Sequence, residues 1–445
     1  MNVKNLIITL FFISSISIAQ KVSFRIEGST NDAILLKIEG EKTRRIMEVI
    51  PENGDFQFSL DNEPYGIYRL EFDNRHWINF INDGEDIELR TDLNNLVDSL
   101  KIVKSESNFL YYDFLKLNKL YKTKTELLNL ILVRYPQDDE YYSATQNRLT
   151  EIQNGYLDFV QNISQRNKNS FIARYIFSSQ LPVIPQQVES DKPLDYLKAN
   201  ALNNVDFDDV ELINSDLYTN KTIEYLTYYR NPQLPKELLE KEFMKAVDTL
   251  LNKAKINQLV YQHITEYLID GFKKFGFDKI IDYIVENYVI KDDLCLDEKT
   301  ENSIQKRIDQ SKRLSLGTEA PNILMPDING KVFDLSKLQS KNTLLVFYSS
   351  ECPHCQTLLP RLNDLQKEQK EIKIVAISLD TKQKDWIKFI EDNQLNLLNI
   401  NDPNGWNGTT ASDYYIYATP TMFLLNKEKK IIGKPTSYAE LADLL

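Results

Sequence analysis

Cysteine is scarce in this chain: 445 residues contain three, Cys295, Cys352 and Cys355. Three thiols cannot staple a fold, so stability has to come from packed cores. Histidine is equally rare, also three residues. His76, beside Trp77, reads as a strand-end surface residue. His263, with no cysteine or second histidine near it in sequence, reads as a packed helix residue. Positive charge is outnumbered, with 53 Lys and Arg against 65 Asp and Glu and a net charge of -12. That balance excludes a nucleic-acid surface and a general attraction to anionic membranes. Long apolar runs are missing too. No stretch after residue 19 is long and apolar enough to span a bilayer, so no integral membrane span is expected in the mature chain.

Core material is plentiful. Hydrophobic residues make up 42% of the chain, including 24 Tyr and 21 Phe, enough for the two or three domains this length implies. Residues 1–19 have the layout of an export signal. Lys4 precedes an apolar core from Leu6 to Ile18, and Ser17-Ile18-Ala19 is a small-x-small cleavage site before Gln20. An uncleaved anchor is the competing reading. No cysteine follows the apolar core, which argues against a lipid anchor. The mature protein is therefore expected outside the cytoplasm, in the periplasm or cell envelope, where disulfides persist.

Over residues 20–104 the apolar period is two, in Val22, Phe24 and Ile26, in Phe56, Phe58 and Leu60, and in Ile87 and Leu89. Turn residues separate these runs, at Asn53-Gly54, Pro64-Tyr65-Gly66 and Asp83-Gly84, so the spacing predicts an antiparallel β-domain. It carries no acid pair, nucleophile or metal cluster, which leaves a structural or partner-binding role. Over 105–312 the period becomes 3.6, as in Phe109, Leu110, Phe114, Leu117 and Leu120, and in Leu127, Leu130 and Ile131. This predicts an all-α segment. Cys295, between Leu294 and Leu296, fits a small apolar side chain in a helical core. Residues 311–316 read as a linker. From 316 to 445 strands and helices alternate, which implies crossovers and a central sheet covered on both faces, an α/β domain.

The most informative stretch is 342–362, NTLLVFYSSECPHCQTLLPRL. Leu344 to Tyr348 has the composition of a strand buried on both faces. After it come Cys352, Pro353, His354 and Cys355, and then a helical pattern with Leu358, Leu359 and Leu362 on one side. Such a strand, turn and helix place the first sulfur at a helix N-terminus, where free N–H groups favour a thiolate. The second sulfur lies one turn along, within reach of a disulfide. The chemistry indicated is redox exchange between Cys352 and Cys355. His354 and Pro353 tune the first sulfur, since a histidine in the turn stabilises a thiolate, and Glu351 opposes it with negative charge. No cofactor is needed.

GTEAPN at 317–322, the strand before CPHC, IVAISLD at 374–380, NDPNGW at 401–406 and ATPTMFLLNKEKKIIG at 418–433 occur in an order and spacing that resemble the exported thioredoxin-fold thiol-disulfide oxidoreductases of the redoxin, or TlpA-like, group. The resemblance covers residues 316–445. The β-domain and helical segment look like the N-terminal extension of some exported members. The resemblance implies that Cys352 is the nucleophile, Cys355 the resolving thiol and Pro420 a cis proline facing the pair, with Thr419 free to pair with an extended substrate. It also implies protein disulfide or dithiol substrates and a redox-recycling partner. Three positions depart from the family pattern. Val346 replaces a buried acid on the strand, Leu358 a glutamate after the second cysteine, and Glu351 a tryptophan before the first. Proton transfer at Cys355 must then use water or another group.

Other readings remain. A thiol peroxidase of the P-x-x-x-[ST]-x-x-C type finds Ser349 in place but Leu345 where the proline belongs. A metal site at Cys352, His354 and Cys355 lacks a fourth ligand. A non-catalytic binding protein with an accessory redox module is the third. The direction of exchange is not written in the sequence.

Overall fold

The computed structural model describes residues 20–29, 31–73, 75–185, 188 and 192–445. The export signal expected at 1–19 lies outside the described residues. The chain divides into two compact units, one ending at Ile264 and one running from Thr265 to Leu445.

The first unit begins with strands β1 (Val22–Glu27), β2 (Ala33–Glu39), β3 (Lys42–Val49), β4 (Asp55–Phe58), β5 (Gly66–Asp73), β6 (His76–Asn82), β7 (Ile87–Asp92) and β8 (Lys101–Lys104). They form two four-stranded sheets, ordered β4-β1-β7-β8 and β3-β2-β5-β6. The period of two sends Val22, Phe24, Leu35, Phe56, Leu70, Phe80 and Leu89 into one core. The expected antiparallel sheets are there, with one addition: β1 pairs with β7 in parallel. Strand alternation specifies which face is buried, but not which distant strand is the neighbour.

Helices α1 (Glu106–Arg134), α2 (Glu140–Arg166), α3 (Phe171–Ser179), α4 (Pro193–Asn200), α5 (Leu217–Thr227) and α6 (Lys236–Ala254) follow. Ser105 caps α1 by accepting from the Asn108 N–H, and Asp139 caps α2 through Tyr141. Part of the apolar stripe of α1 stays on the surface, with Leu127 59% and Leu130 48% exposed.

Helix α7 (Gln258–Lys274) spans the division, and α8 (Asp278–Ile284) and α9 (Glu298–Arg313) belong to the second unit. The helical stretch expected over 105–312 is thus shared by both units. Because α9 continues to Arg313 and Leu314 is buried, the segment read as a linker at 311–316 is largely helix and core. Cys295 also departs from expectation: it is exposed, in an irregular segment before α9. The backbone turns through Asp293 at φ 49°, Leu294 takes the buried place, and Cys295 is left outside.

The rest of the second unit consists of β9 (Leu324–Pro326), β10 (Val332–Asp334), β11 (Asn342–Tyr348), α10 (Pro353–Glu368), β12 (Ile372–Ser378), α11 (Gln383–Asp392), β13 (Leu398–Asn401), α12 (Thr409–Asp413), β14 (Thr421–Leu425), β15 (Ile431–Gly433) and α13 (Tyr438–Leu444). Five of the strands make a sheet ordered β13-β12-β11-β14-β15. The first three run parallel, and β14 and β15 are antiparallel. Strand β11 is central and buried on both faces, as its unbroken apolar run requires. Leu344, Val346 and Tyr348 face a core with α10 and α11, while Leu345 and Phe347 face another with α12 and β9–β10 residues. Among the described residues no helix is long and apolar enough to cross a membrane.

Candidate active site

Cys352 stands where β11 hands over to α10. Its backbone is extended, at φ -80° and ψ 117°, and Pro353 occupies the first turn of the helix, where a missing N–H costs nothing. The Cys352 N–H donates to Ser349 O at 3.1 Å, and the Gln356 N–H donates to Cys352 O at 3.0 Å. One turn on, Cys355 points into the apolar core with Leu359, Leu362 and Met422. Both thiols are free, Cys352 half-buried and Cys355 fully buried.

Thr419 and Pro420 come to the pair from the far side of the sequence. Their peptide bond is cis, and Cys352 Sγ donates to Thr419 O at 3.3 Å. The structure thus brings Cys352, Cys355, Thr419 and Pro420 together. It leaves Glu351, Pro353 and His354 exposed on the rim. Among the described residues the His354 ring makes no hydrogen bond to either sulfur; its backbone N–H is what favours the Cys352 thiolate. Three or more His, Cys, Asp or Glu side chains are nowhere gathered into a metal site among the described residues.

The two sulfurs are tuned apart. Partial burial pushes Cys352 up, but hydrogen bonds from the Cys355 thiol and N–H, the Thr419 hydroxyl and the His354 N–H outweigh it and hold the thiol below its ordinary pKa. Burial pushes Cys355 far up, and the neighbouring Cys352 sulfur adds to the rise. Cys352 is therefore the more readily ionised of the two sulfurs, and Cys355 the one that holds its proton more tightly.

Sequence reasoning missed the anchor of this loop. Asp380, just beyond β12, is buried and accepts from Ser349 Oγ at 2.9 Å, from the Ser350 N–H at 3.0 and 3.1 Å, and from Ser378 Oγ at 2.8 Å. A signal was available: a carboxylate at the C-terminal end of a central parallel strand sits where such sheets place their sites. The vacant acid position is filled by hydrocarbon, with Val346 and Leu358 both buried beside Cys355. Tyr348 brings a hydroxyl to that core, where it accepts from Trp386 Nε1 at 3.1 Å.

Residues 316–434 match the model of the AhpC/TSA family. Thiol-disulfide oxidoreductase ResA of Bacillus thuringiensis (strain Al Hakam) is 30% identical over 123 residues, 27% of this chain and 69% of that protein. A thioredoxin-like protein of Haemophilus influenzae is 32% identical over 123 residues, 27% of this chain and 71% of that one. Among solved structures, a domain of a possible thiol-disulfide isomerase from Cytophaga hutchinsonii is 37% identical, covering 29% of this chain and 90% of that one at a TM-score of 0.27. A thioredoxin-like protein from Bacteroides caccae is 20% identical, covering 60% and 96% at a TM-score of 0.38. Through its C-terminal domain the chain belongs to the AhpC/TSA family, among the thioredoxin-like thiol-disulfide oxidoreductases.

Proposed function

We propose that the protein exchanges disulfides with protein or small-molecule thiols outside the cytoplasm, using Cys352 and Cys355. The observation that carries this reading is the Cys352 sulfur, half-exposed at the start of α10, held below its ordinary pKa by hydrogen bonds and backed by a buried Cys355 thiol. The export-signal pattern of residues 1–19 supports the location.

The Cys352 thiolate attacks one sulfur of a partner disulfide, forming a mixed disulfide and releasing the other sulfur as a thiolate. Cys355 then loses its proton and attacks Cys352 Sγ. A Cys352–Cys355 disulfide forms and the partner leaves as a dithiol, two electrons richer. A second thiol-bearing protein returns those electrons to the enzyme. Run backwards, the same steps oxidise a partner dithiol. Thr419, with its backbone beside Cys352 Sγ, serves as the pairing edge for an extended substrate, while Glu351, Pro353 and His354 form the exposed rim it meets.

Reduction of insulin by the full-length protein with a dithiol donor tests the reading. Turnover is expected in the wild type and none in Cys352→Ser. A Cys352→Ser protein that keeps full turnover defeats it, and consumption of hydrogen peroxide in place of insulin disulfides shifts the assignment to a peroxidase.

A further inference from the structure

The segment leading into Thr419-Pro420 is held by helices that lie upstream of the family match. Helix α9 carries Arg307, Gln310 and Arg313 three residues apart, along one side. Gln310 Nε2 donates to the carbonyls of Tyr414 at 3.0 Å and Tyr415 at 3.2 Å. The Arg313 guanidinium lies 5.5 Å from the centre of the Tyr415 ring, and that of Arg307 lies 4.1 Å from the centre of the Tyr417 ring. Arg307 also pairs with Asp278 and Asp282 of α8, and Asp282 accepts from the Tyr417 hydroxyl at 2.8 Å. Only 11% of the Arg307 side chain is exposed, so this is not a solvated surface pair.

Two properties of the Arg307 side chain are used at once. The planar fork reaches two carboxylates while its face covers an aromatic ring, which a lysine cannot do. Asp282 accepts from both Arg307 and Tyr417 while the Arg307 guanidinium covers the Tyr417 ring, and this closed triangle fixes Tyr417 two residues before Thr419. Thr419 is the residue whose carbonyl meets the reactive sulfur.

We propose that Asp282, Arg307 and Tyr417 are positioning residues for the substrate loop, holding the Thr419 backbone in the one arrangement that an extended protein partner can pair with. The inference rests on the exchange reading above. Ordering a loop at the moment of binding weakens affinity, and a loop ordered beforehand avoids that cost. A small disulfide, which makes no backbone pairing, gains nothing from it. The cluster therefore acts on recognition of protein substrates, leaving sulfur chemistry to Cys352 and Cys355.

The test compares insulin with the small disulfide 5,5′-dithiobis(2-nitrobenzoate), using full-length wild type, Tyr417→Phe and Arg307→Lys. Tyr417→Phe keeps the ring and loses only the bond to Asp282. It is expected to raise KM for insulin about three- to tenfold, with kcat within about twofold. Arg307→Lys keeps the charge and loses the fork, and its KM for insulin is expected to rise at least as far. The thiolate absorbance titration of Cys352 should be the same in all three proteins. If Arg307→Lys does not fold, Tyr417→Phe decides alone. An unchanged KM for insulin, or an equal loss of kcat on both substrates, overturns the positioning role. Absence of turnover by the wild type on both substrates instead overturns the exchange reading itself.

Discussion

Cys352 and Cys355 lie three residues apart and are the same thiol in an unfolded chain, yet the fold moves them in opposite directions. Cys352 occupies the cap of α10, where N–H groups and the Cys355 thiol donate to it. Cys355 is one turn inside, against Leu359, Leu362 and Met422. Each sulfur also sets the other: a protonated Cys355 stabilises the Cys352 thiolate, and that thiolate raises Cys355 further. The lesson is that helix register, cap against interior, together with the Thr419 hydroxyl, sets the two sulfurs apart without the buried acid whose place Val346 takes.

Removing the buried member breaks the comparison most severely. In Cys355→Ala the mixed disulfide has no internal thiol to resolve it. Multiple turnover should be abolished while one equivalent of partner remains attached through Cys352, visible on a non-reducing gel. The same variant loses the strongest donor to Cys352, so the thiolate absorbance of Cys352 should titrate closer to an ordinary thiol, near pH ~8.5. A variant that still turns over repeatedly would remove Cys355 from the mechanism.

A milder change attacks only the exposed side. Asp380→Asn leaves Cys355 in its core but replaces the acceptor of two hydroxyls and the Ser350 N–H. Hydrogen bonds to a buried charge contribute about 1.5–3 kcal/mol each, and an amide oxygen recovers part of that, so a net loss of about 1–3 kcal/mol is expected in thermal or urea unfolding. Alkylation of Cys352 should slow several-fold as its loop loosens. Unaltered stability would mean that Asp380 is not the anchor its bonds describe.

The exposed half of this comparison was far more legible in the sequence than its surroundings. The apolar run from Leu344 to Tyr348, the Cys352–Cys355 spacing and Thr419-Pro420 are local or family patterns, and the fold places all of them together. The period of two over residues 20–104 likewise announced the strands. What stayed hidden depends on contacts between distant segments. Periodicity says that α8 and α9 are helices, but not that they pack on Tyr414 to Tyr417. Nor does it say that β1 takes β7 as a parallel neighbour. An apolar neighbour on either side of Cys295 suggested a core, but one irregular turn at Asp293 put it outside. Leu127 and Leu130 carry the same warning, since a stripe is buried only where something covers it.

The smallest expected effect sharpens the comparison through pH. A thiol whose pKa is depressed by folding binds fewer protons in the native state between its folded and unfolded values, so stability rises with pH across that window. Cys352 is such a group, and its contribution is complete above the unfolded thiol value of about 8.5 and is lost as pH falls through the folded one. Cys355 has the opposite sign. Above pH ~8.5 the unfolded chain releases its proton while the native state keeps it, so stability falls by up to ~1.4 kcal/mol per pH unit. Buried tyrosines such as Tyr348 and Tyr414 also oppose unfolding less as pH passes about 10, and that background is shared by all variants. The informative quantity is therefore a difference. Between pH 9 and 10, urea unfolding of reduced wild type should lose about 1 kcal/mol more than Cys355→Ala loses over the same interval. Parallel pH curves for the two proteins would show that Cys355 ionises as readily in the fold as outside it, and the asymmetry between the sulfurs would be gone.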